Sequence, residues 1–200
     1  MARSILETHR GRDRMQNRDL ARRSAALSSP TFRIADPVAD RAALIALNID
    51  HVAWVFAEIE KMSGLTAREV LGAEVADYVP TIIDKVCGDA PPDGLFYLVE
   101  IDGQPIAMGG LRRSEPGIAE LKRVYVRPAG RGRRLGEAIT RRLVEDARRF
   151  GYRGVRLDTL PFMHTAQALY ESLGFVDCAP YPIEMPEAFR SSIRYMALAL

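Results

Sequence analysis

Residues 118–136 read Ile-Ala-Glu-Leu-Lys-Arg-Val-Tyr-Val-Arg-Pro-Ala-Gly-Arg-Gly-Arg-Arg-Leu-Gly. A run of β-branched and apolar residues passes through a Gly/Arg-rich turn straight into a strongly periodic helical pattern. A strand that enters a helix this way leaves unpaired backbone N–H groups and the positive end of the helix dipole aimed at one point, which predicts an anion site, with phosphate the natural ligand.

Downstream, Leu135, Ile139, Leu143, Ala147 and Phe150 fall on one helical stripe, with Glu137, Arg141, Glu145 and Arg148 away from it, and Gly151 closes the helix. Residues 155–158 read as a strand, 164–173 as a helix ended by Gly174, 175–177 as a short strand, and 192–200 as a closing strand. The strand at 118, the helix at 135 and the strand at 155 form a βαβ unit, so those two strands should lie parallel and side by side.

Upstream, the apolar runs 95–101 and 105–111 are joined at Asp102-Gly103, a hairpin signature, and with 118–126 they make a meander. Residues 31–35 read as a first strand. Helical spacing covers 38–62, with Asn48 to Asp50 a point where it could break in two. Residues 65–86 read as one or two short helices, with Thr66 as an N-cap and Val79-Pro80 as a start or a bend. The fold class expected is α+β, a mixed sheet with helices on both faces.

Two hundred residues, 48% of them hydrophobic, suit one domain. The reading is a tail, 1–30, and a domain, 31–200. The net charge is +2, but the tail alone holds seven arginines against Glu7, Asp13 and Asp19. Without interleaved aromatics it makes a poor nucleic-acid platform, and a solvated extension is the expectation. No stretch reads as the roughly 20 apolar residues that cross a bilayer, so a cytoplasmic protein with no membrane partner is expected. Cys87 and Cys178 fit no disulfide framework, and with His9, His51 and His164 scattered, no metal site is expected.

In Arg131-Gly132-Arg133-Arg134-Leu135-Gly136 the glycines allow close backbone approach and the arginines add charge-assisted donors, a site for pyrophosphate or another polyphosphate. A P-loop would continue Gly-Lys-Ser/Thr, whereas Leu-Gly-Glu follows here. A dinucleotide fold would place Gly-x-Gly-x-x-Gly early in a parallel series. The segment instead resembles the acyl-CoA signature of the GNAT superfamily of N-acyltransferases, Gln/Arg-x-x-Gly-x-Gly/Ala. Downstream, Ala166-Gln167-Ala168-Leu169-Tyr170-Glu171-Ser172-Leu173-Gly174-Phe175 is similar to that family's Ala-x-x-Leu-Tyr-x-x-x-Gly-Phe. The resemblance spans about residues 95–177. It departs at Arg134, where the pattern prefers glycine, and at Met163, where many members carry an asparagine that contacts the cofactor.

The resemblance implies a twisted, mostly antiparallel sheet whose parallel strand pair splays. It implies acetyl-CoA as co-substrate, held by backbone at Val124, Tyr125 and Val126 and by Arg131, Gly132, Arg133, Arg134, Leu135 and Gly136. Glu120 stands where one branch of the family places its general base, and strand alternation puts it on the face of Val124 and Val126. Its bland alternative is an ion pair with Lys122 or Arg123. Tyr170 stands where a hydroxyl serves as general acid toward the cofactor sulfur, or else fills the core of an apolar stripe.

The function these features imply is transfer of an acetyl group from acetyl-CoA to a primary amine in a ternary complex. The alternative is a non-catalytic acyl-CoA-sensing domain. The acceptor, small molecule or protein, should be held by residues 40–86 and 178–192, where Trp54, Phe56, Tyr78, Tyr181 and Glu184 are candidate wall residues. Nucleic acid is not an expected partner, and a homodimer is left open.

Overall fold

The computed structural model describes residues 29–183 and 187–200; the basic tail and Glu184 therefore lie outside the described residues. Seven strands, β1 (Thr31–Ile34), β2 (Gly94–Ile101), β3 (Gln104–Glu115), β4 (Ile118–Val126), β5 (Gly154–Thr159), β6 (Val176–Asp177) and β7 (Arg194–Ala199), form one sheet in the order β1-β2-β3-β4-β5-β7-β6. Only β4 and β5 run parallel. The closing strand β7 inserts between β5 and β6, an order that residue patterning alone does not reveal.

Helices α1 (Arg41–Ser63), α2 (Ala67–Leu71) and α3 (Val75–Cys87) cover one face, and α4 (Leu135–Arg149) and α5 (His164–Ser172) the other. A short α6 (Glu187–Arg190) follows, which the sequence reading did not anticipate. The first core gathers Leu44, Leu47, Val55 and Ile83 against Phe96, Leu98 and Met108; the second sets Ile139, Leu143 and Ala147 against Ala107, Ala119 and Leu121.

The β2–β3 hairpin turns through Asp102 and Gly103 at φ 52° and 72°, the left-handed pair that Asp-Gly accepts at little cost. Thr66 caps α2 in a reciprocal box with Glu69: its hydroxyl accepts from the Glu69 amide at 3.3 Å and its own amide donates to Glu69 Oε2 at 2.8 Å.

Three local expectations change. α1 does not break at Asn48, because the Asn48 amide donates to the Leu44 carbonyl one turn back and the residue stays buried in the helix face. Of the start or bend read at Val79-Pro80, the start is excluded, since Pro80 lies inside α3; the Thr81 hydroxyl donates to the Tyr78 carbonyl nearby. By length and hydropathy α1 is apolar enough to cross a membrane, contrary to the sequence reading, and one face of it, with Leu44, Leu47, Val52, Val55, Phe56 and Ile59, is buried in the core.

β4 carries the irregularity that shapes the site. Its register against β3 slips between Met108 and Gly110, so that Lys122 pairs with Gly110 while Tyr125 pairs with Met108. The extra residue is taken up at Arg123, whose φ is +56°. A bulge of this kind reverses the in–out alternation beyond it. Opposite it, Gly109 lets α4 approach the sheet, since a Cβ there would stand 2.5 Å from Ile139 Cγ2.

Candidate active site

β4 and β5 pair only over Ile118–Glu120 and Gly154–Arg156, although β4 runs on to Val126 and β5 to Thr159. Beyond Glu120 the two strands diverge and one edge of β4 is left open. The Arg127 amide donates to the Ile106 carbonyl on β3 at 2.9 Å. Counting back from it, the backbone groups of Tyr125 face β3, and those of Val126 and Val124 face the opening. Arg131 Nε reaches the Val126 carbonyl there in a long contact of 3.4 Å. Tyr125 therefore meets the cleft with its ring and not with its backbone.

A 3₁₀ turn at Pro128–Gly130 leads on to Gly132 at φ +78° and Arg134 at φ +56° before α4 begins. α4 has no side-chain cap, and Ala138 is the first amide to find a helical carbonyl, that of Arg134 at 3.0 Å. The amides of Leu135, Gly136 and Glu137 point out of the helix end toward the open edge of β4. Glu137 is tied to Arg141 at 2.9 Å and to Arg134 at 3.5 Å, so its charge is offset within the first turn. Gly136 stands beside Val126 and Leu169, where a Cβ would meet their side chains at 4.0 and 3.8 Å.

This turn and the open edge share one cleft of about 680 Å³, which reaches from Arg131 and Arg134 to His51 and Trp54 on the far side. Tyr170 lines it from α5. Its ring packs 5.7 Å from Phe175, and its hydroxyl makes no hydrogen bond with a described residue. Burial, and secondarily Asp158, raise the phenol above its usual pKa, so the hydroxyl keeps its proton.

The bulge corrects the placement of Glu120. Val124 and Val126 pack on the α4 side, whereas Tyr125 joins the α1 side and Glu120 lies opposite Leu121, on the face away from α4. There Glu120 faces Arg112 on β3 and Arg156 on β5 across the two registers. Its carboxylate is 3% exposed; Oε2 accepts from Arg112 Nε at 3.1 Å and Oε1 lies 2.8 Å from Lys122 Nζ. Lys122 also reaches Asp158 at 3.1 Å, and Asp158 lines the main cleft. Glu120 itself lines a second pocket with Lys85, Arg112 and Pro182, which shares no lining residue with the main cleft.

Several residues of this wall went unread in the sequence. His51 packs 5.2 Å from Tyr125 and 6.2 Å from Trp54, with Trp54 edge-on to Phe162 at 5.6 Å. Burial, with help from the charge of Arg123, pushes the His51 imidazole down to about 3, too weak a base for work near neutrality. Its Nδ1 and Thr159 Oγ1 are buried without a hydrogen-bond partner among the described residues. Arg123 lines the same wall. Tyr181, a candidate wall residue in the sequence, does not line this cleft: it lies under the Arg156 guanidinium at 3.8 Å and edge-on to Tyr195 at 5.0 Å, its hydroxyl without a hydrogen-bond partner among the described residues. Tyr78 and Phe56 line the cleft as expected. His51 and Asp158 carry no motif, so only the fold brings them to one place.

Cys87 is buried and its thiol is pushed up to about 12 by desolvation, which leaves little thiolate. His164 opens α5. Among the described residues no three His, Cys, Asp or Glu side chains gather as a metal site.

A mixed sheet that splays at its one parallel pair, with an uncapped helix end at the close of the splayed strand, is the architecture of acyl-CoA-dependent N-acyltransferases. The Acetyltransferase (GNAT) family is matched over residues 61–175, more than half of the chain, and the protein belongs to that family. The N-acetyltransferase YjgM of Escherichia coli is 35% identical over 127 residues, 62% of this chain and 74% of that protein. The IAA acetyltransferase of Azospirillum brasilense is 32% identical over 93 residues, 46% of this chain and 61% of that one. The PaiA N-acetyltransferase of Thermoplasma acidophilum, solved in complex with coenzyme A, shares the fold at a TM-score of 0.62 and 17% identity, over 86% of this chain and 100% of that one.

Proposed function

We propose that this acyltransferase moves an acetyl group from acetyl-CoA to a primary amine by direct attack, with both substrates bound together. The observation that carries the reading is the continuity between the open edge of β4 and the uncapped start of α4. The edge offers backbone groups of Val124 and Val126 to the amide-bearing pantetheine arm, as a strand would. The helix end offers the amides of Leu135, Gly136 and Glu137, with Arg131, Arg133 and Arg134, to the pyrophosphate.

At the fork of the strands, the amine adds to the thioester carbonyl carbon and the C–S bond breaks. In this reading the Val124 N–H, on the open edge, donates to the oxygen that gains charge. Glu120 takes the proton lost by the amine, with Lys122 and Asp158 connecting it to the cleft. Tyr170 gives its proton to the departing thiolate. Cys87, with its thiol held protonated, supports no acyl-cysteine step.

Calorimetry with acetyl-CoA, paired with thiol release over a panel of amines, tests this reading. Binding in the micromolar range with amine-dependent thiol release is the expected outcome. Binding without release on any amine would make the protein an acyl-CoA sensor.

A further inference from the structure

Arg123 is the one residue of β4 at positive φ, and the bulge it occupies turns it to the α1 and α3 side of the sheet. It lines the main cleft together with His51, Tyr78 and Asp158, and its charge acts on His51 and Asp158 there. It makes no ion pair and no side-chain hydrogen bond with any described residue, in contrast to Arg112, Lys122 and Arg127 around it. Burial lowers its pKa, which registers the cost of holding that charge away from water.

A half-buried guanidinium that lines a cleft and makes no ion pair of its own is available to an anion entering that cleft. Two further polar atoms on the wall share its condition: His51 Nδ1 and Thr159 Oγ1 are buried and unpartnered. The nearby carboxylates are already engaged, Glu120 by Arg112 and Lys122, and Asp158 by Lys122. A polyamine or a lysine-rich peptide would bring more positive charge to this wall, whereas a carboxylate would supply what Arg123 lacks.

We infer that the acceptor is an aminocarboxylate, an amino acid or close relative, whose carboxylate pairs with Arg123 while its amine is presented toward Asp158 and Glu120. The inference rests on the acyl-transfer reading above. Guanidinium suits the task because its planar fork meets both carboxylate oxygens, while the neutral His51 imidazole and the Thr159 hydroxyl add uncharged hydrogen-bonding groups. The aromatic floor of Trp54, Tyr125 and Phe162 would take an apolar or small side chain.

The test compares kcat/KM for the common L-amino acids, their α-carboxamides, putrescine, spermidine and a lysine-containing peptide, with acetyl-CoA as donor. The best amino acid should exceed its own carboxamide by about 100-fold or more, since a site built to pair with a group rejects the analogue that lacks it. Arg123→Gln should erase that ratio with acetyl-CoA affinity unchanged, and Arg123→Lys should restore part of it. Equal use of amino acid and carboxamide, or preference for a polyamine or peptide, overturns the inference and leaves acyl transfer standing. Acetyl-CoA binding with no turnover on any amine overturns acyl transfer itself, and the acceptor assignment with it. Were Arg123→Gln to misfold, the wild-type comparison would still decide.

Discussion

Lys122 Nζ lies 2.8 Å from Glu120 Oε1, two positions along the same strand. The same ammonium reaches Asp158 across the splay at 3.1 Å, so one cation links the two carboxylates nearest the fork of β4 and β5. Glu120 is thus at once an ion-pair anchor and the proposed base.

Glu120→Gln should lower turnover about 100-fold and remove the rise of rate with pH that an ionising base produces. It should also cost about 3 kcal/mol of stability, because Arg112 and Lys122 would lose a buried counter-charge. Acetyl-CoA affinity, measured by calorimetry, should stay within twofold, about 0.4 kcal/mol. A rate within a few-fold of wild type would leave Glu120 a structural residue only.

Tyr170→Phe separates packing from chemistry. The ring contact with Phe175 survives and no hydrogen bond to a described residue is lost, so stability should move by less than about 0.5 kcal/mol. Turnover should fall about 10- to 100-fold. Because burial raises the phenol pKa, Tyr170 should contribute no pH-dependent limb to the wild-type profile near neutrality.

Arg134 holds a left-handed φ of 56° where glycine would be unstrained. Arg134→Gly should relieve about 1–2 kcal/mol of backbone strain against about 0.5–1 kcal/mol of added chain entropy, a small net gain readable in urea unfolding. Its side chain is 87% exposed, so the lost contact with Glu137 matters little. Coenzyme A affinity should fall modestly and lose part of its salt dependence.

Gly109→Ala would place a methyl 2.5 Å from Ile139 Cγ2 and 3.3 Å from Val124 Cγ2. The expected cost is about 1–3 kcal/mol from overpacking, with α4 pushed off the sheet and acetyl-CoA affinity reduced through displacement of its N-terminus. Thermal unfolding and calorimetry on one preparation check both.

His51 has a folded pKa of about 3 against 6.5 in the unfolded chain. A group whose folded pKa is depressed leaves the unfolded state with more bound protons in the interval. Its contribution is therefore full above about pH 6.5 and is lost as pH falls toward 3. His51→Gln should flatten the acid side of the stability curve over that window. An unchanged slope would show that His51 is not buried in its neutral form.

The meander, the βαβ unit and the turn were legible because each rests on near-neighbour preferences. Asp102-Gly103 favours the left-handed pair of a hairpin, Thr66 and Glu69 lie within reach on one turn, and the stripe from Leu135 to Ala147 follows the helical period. The break that Asn48 to Asp50 left open does not form, for a reason of the same short range read the other way: in a helix already held by Leu44 and Leu47, the Asn48 amide bonds back to the Leu44 carbonyl. The face of Glu120 was not legible, because strict alternation assumes a regular strand. The bulge at Arg123 depends on how β3 and β4 fit over Gly109, which a residue pattern on one strand does not record.

By itself, then, the sequence determined the family, the order of most elements and the turn that offers amides to phosphate, all of which depend on residues close together in the chain. Tertiary structure decided which side of the sheet each residue of β4 faces. An extra residue on β4, accommodated only against its partner strand, sets Arg123 in one cleft with His51, Trp54 and Asp158 and leaves Glu120 on the face away from α4, an arrangement of side chains from elements that local preference cannot bring together.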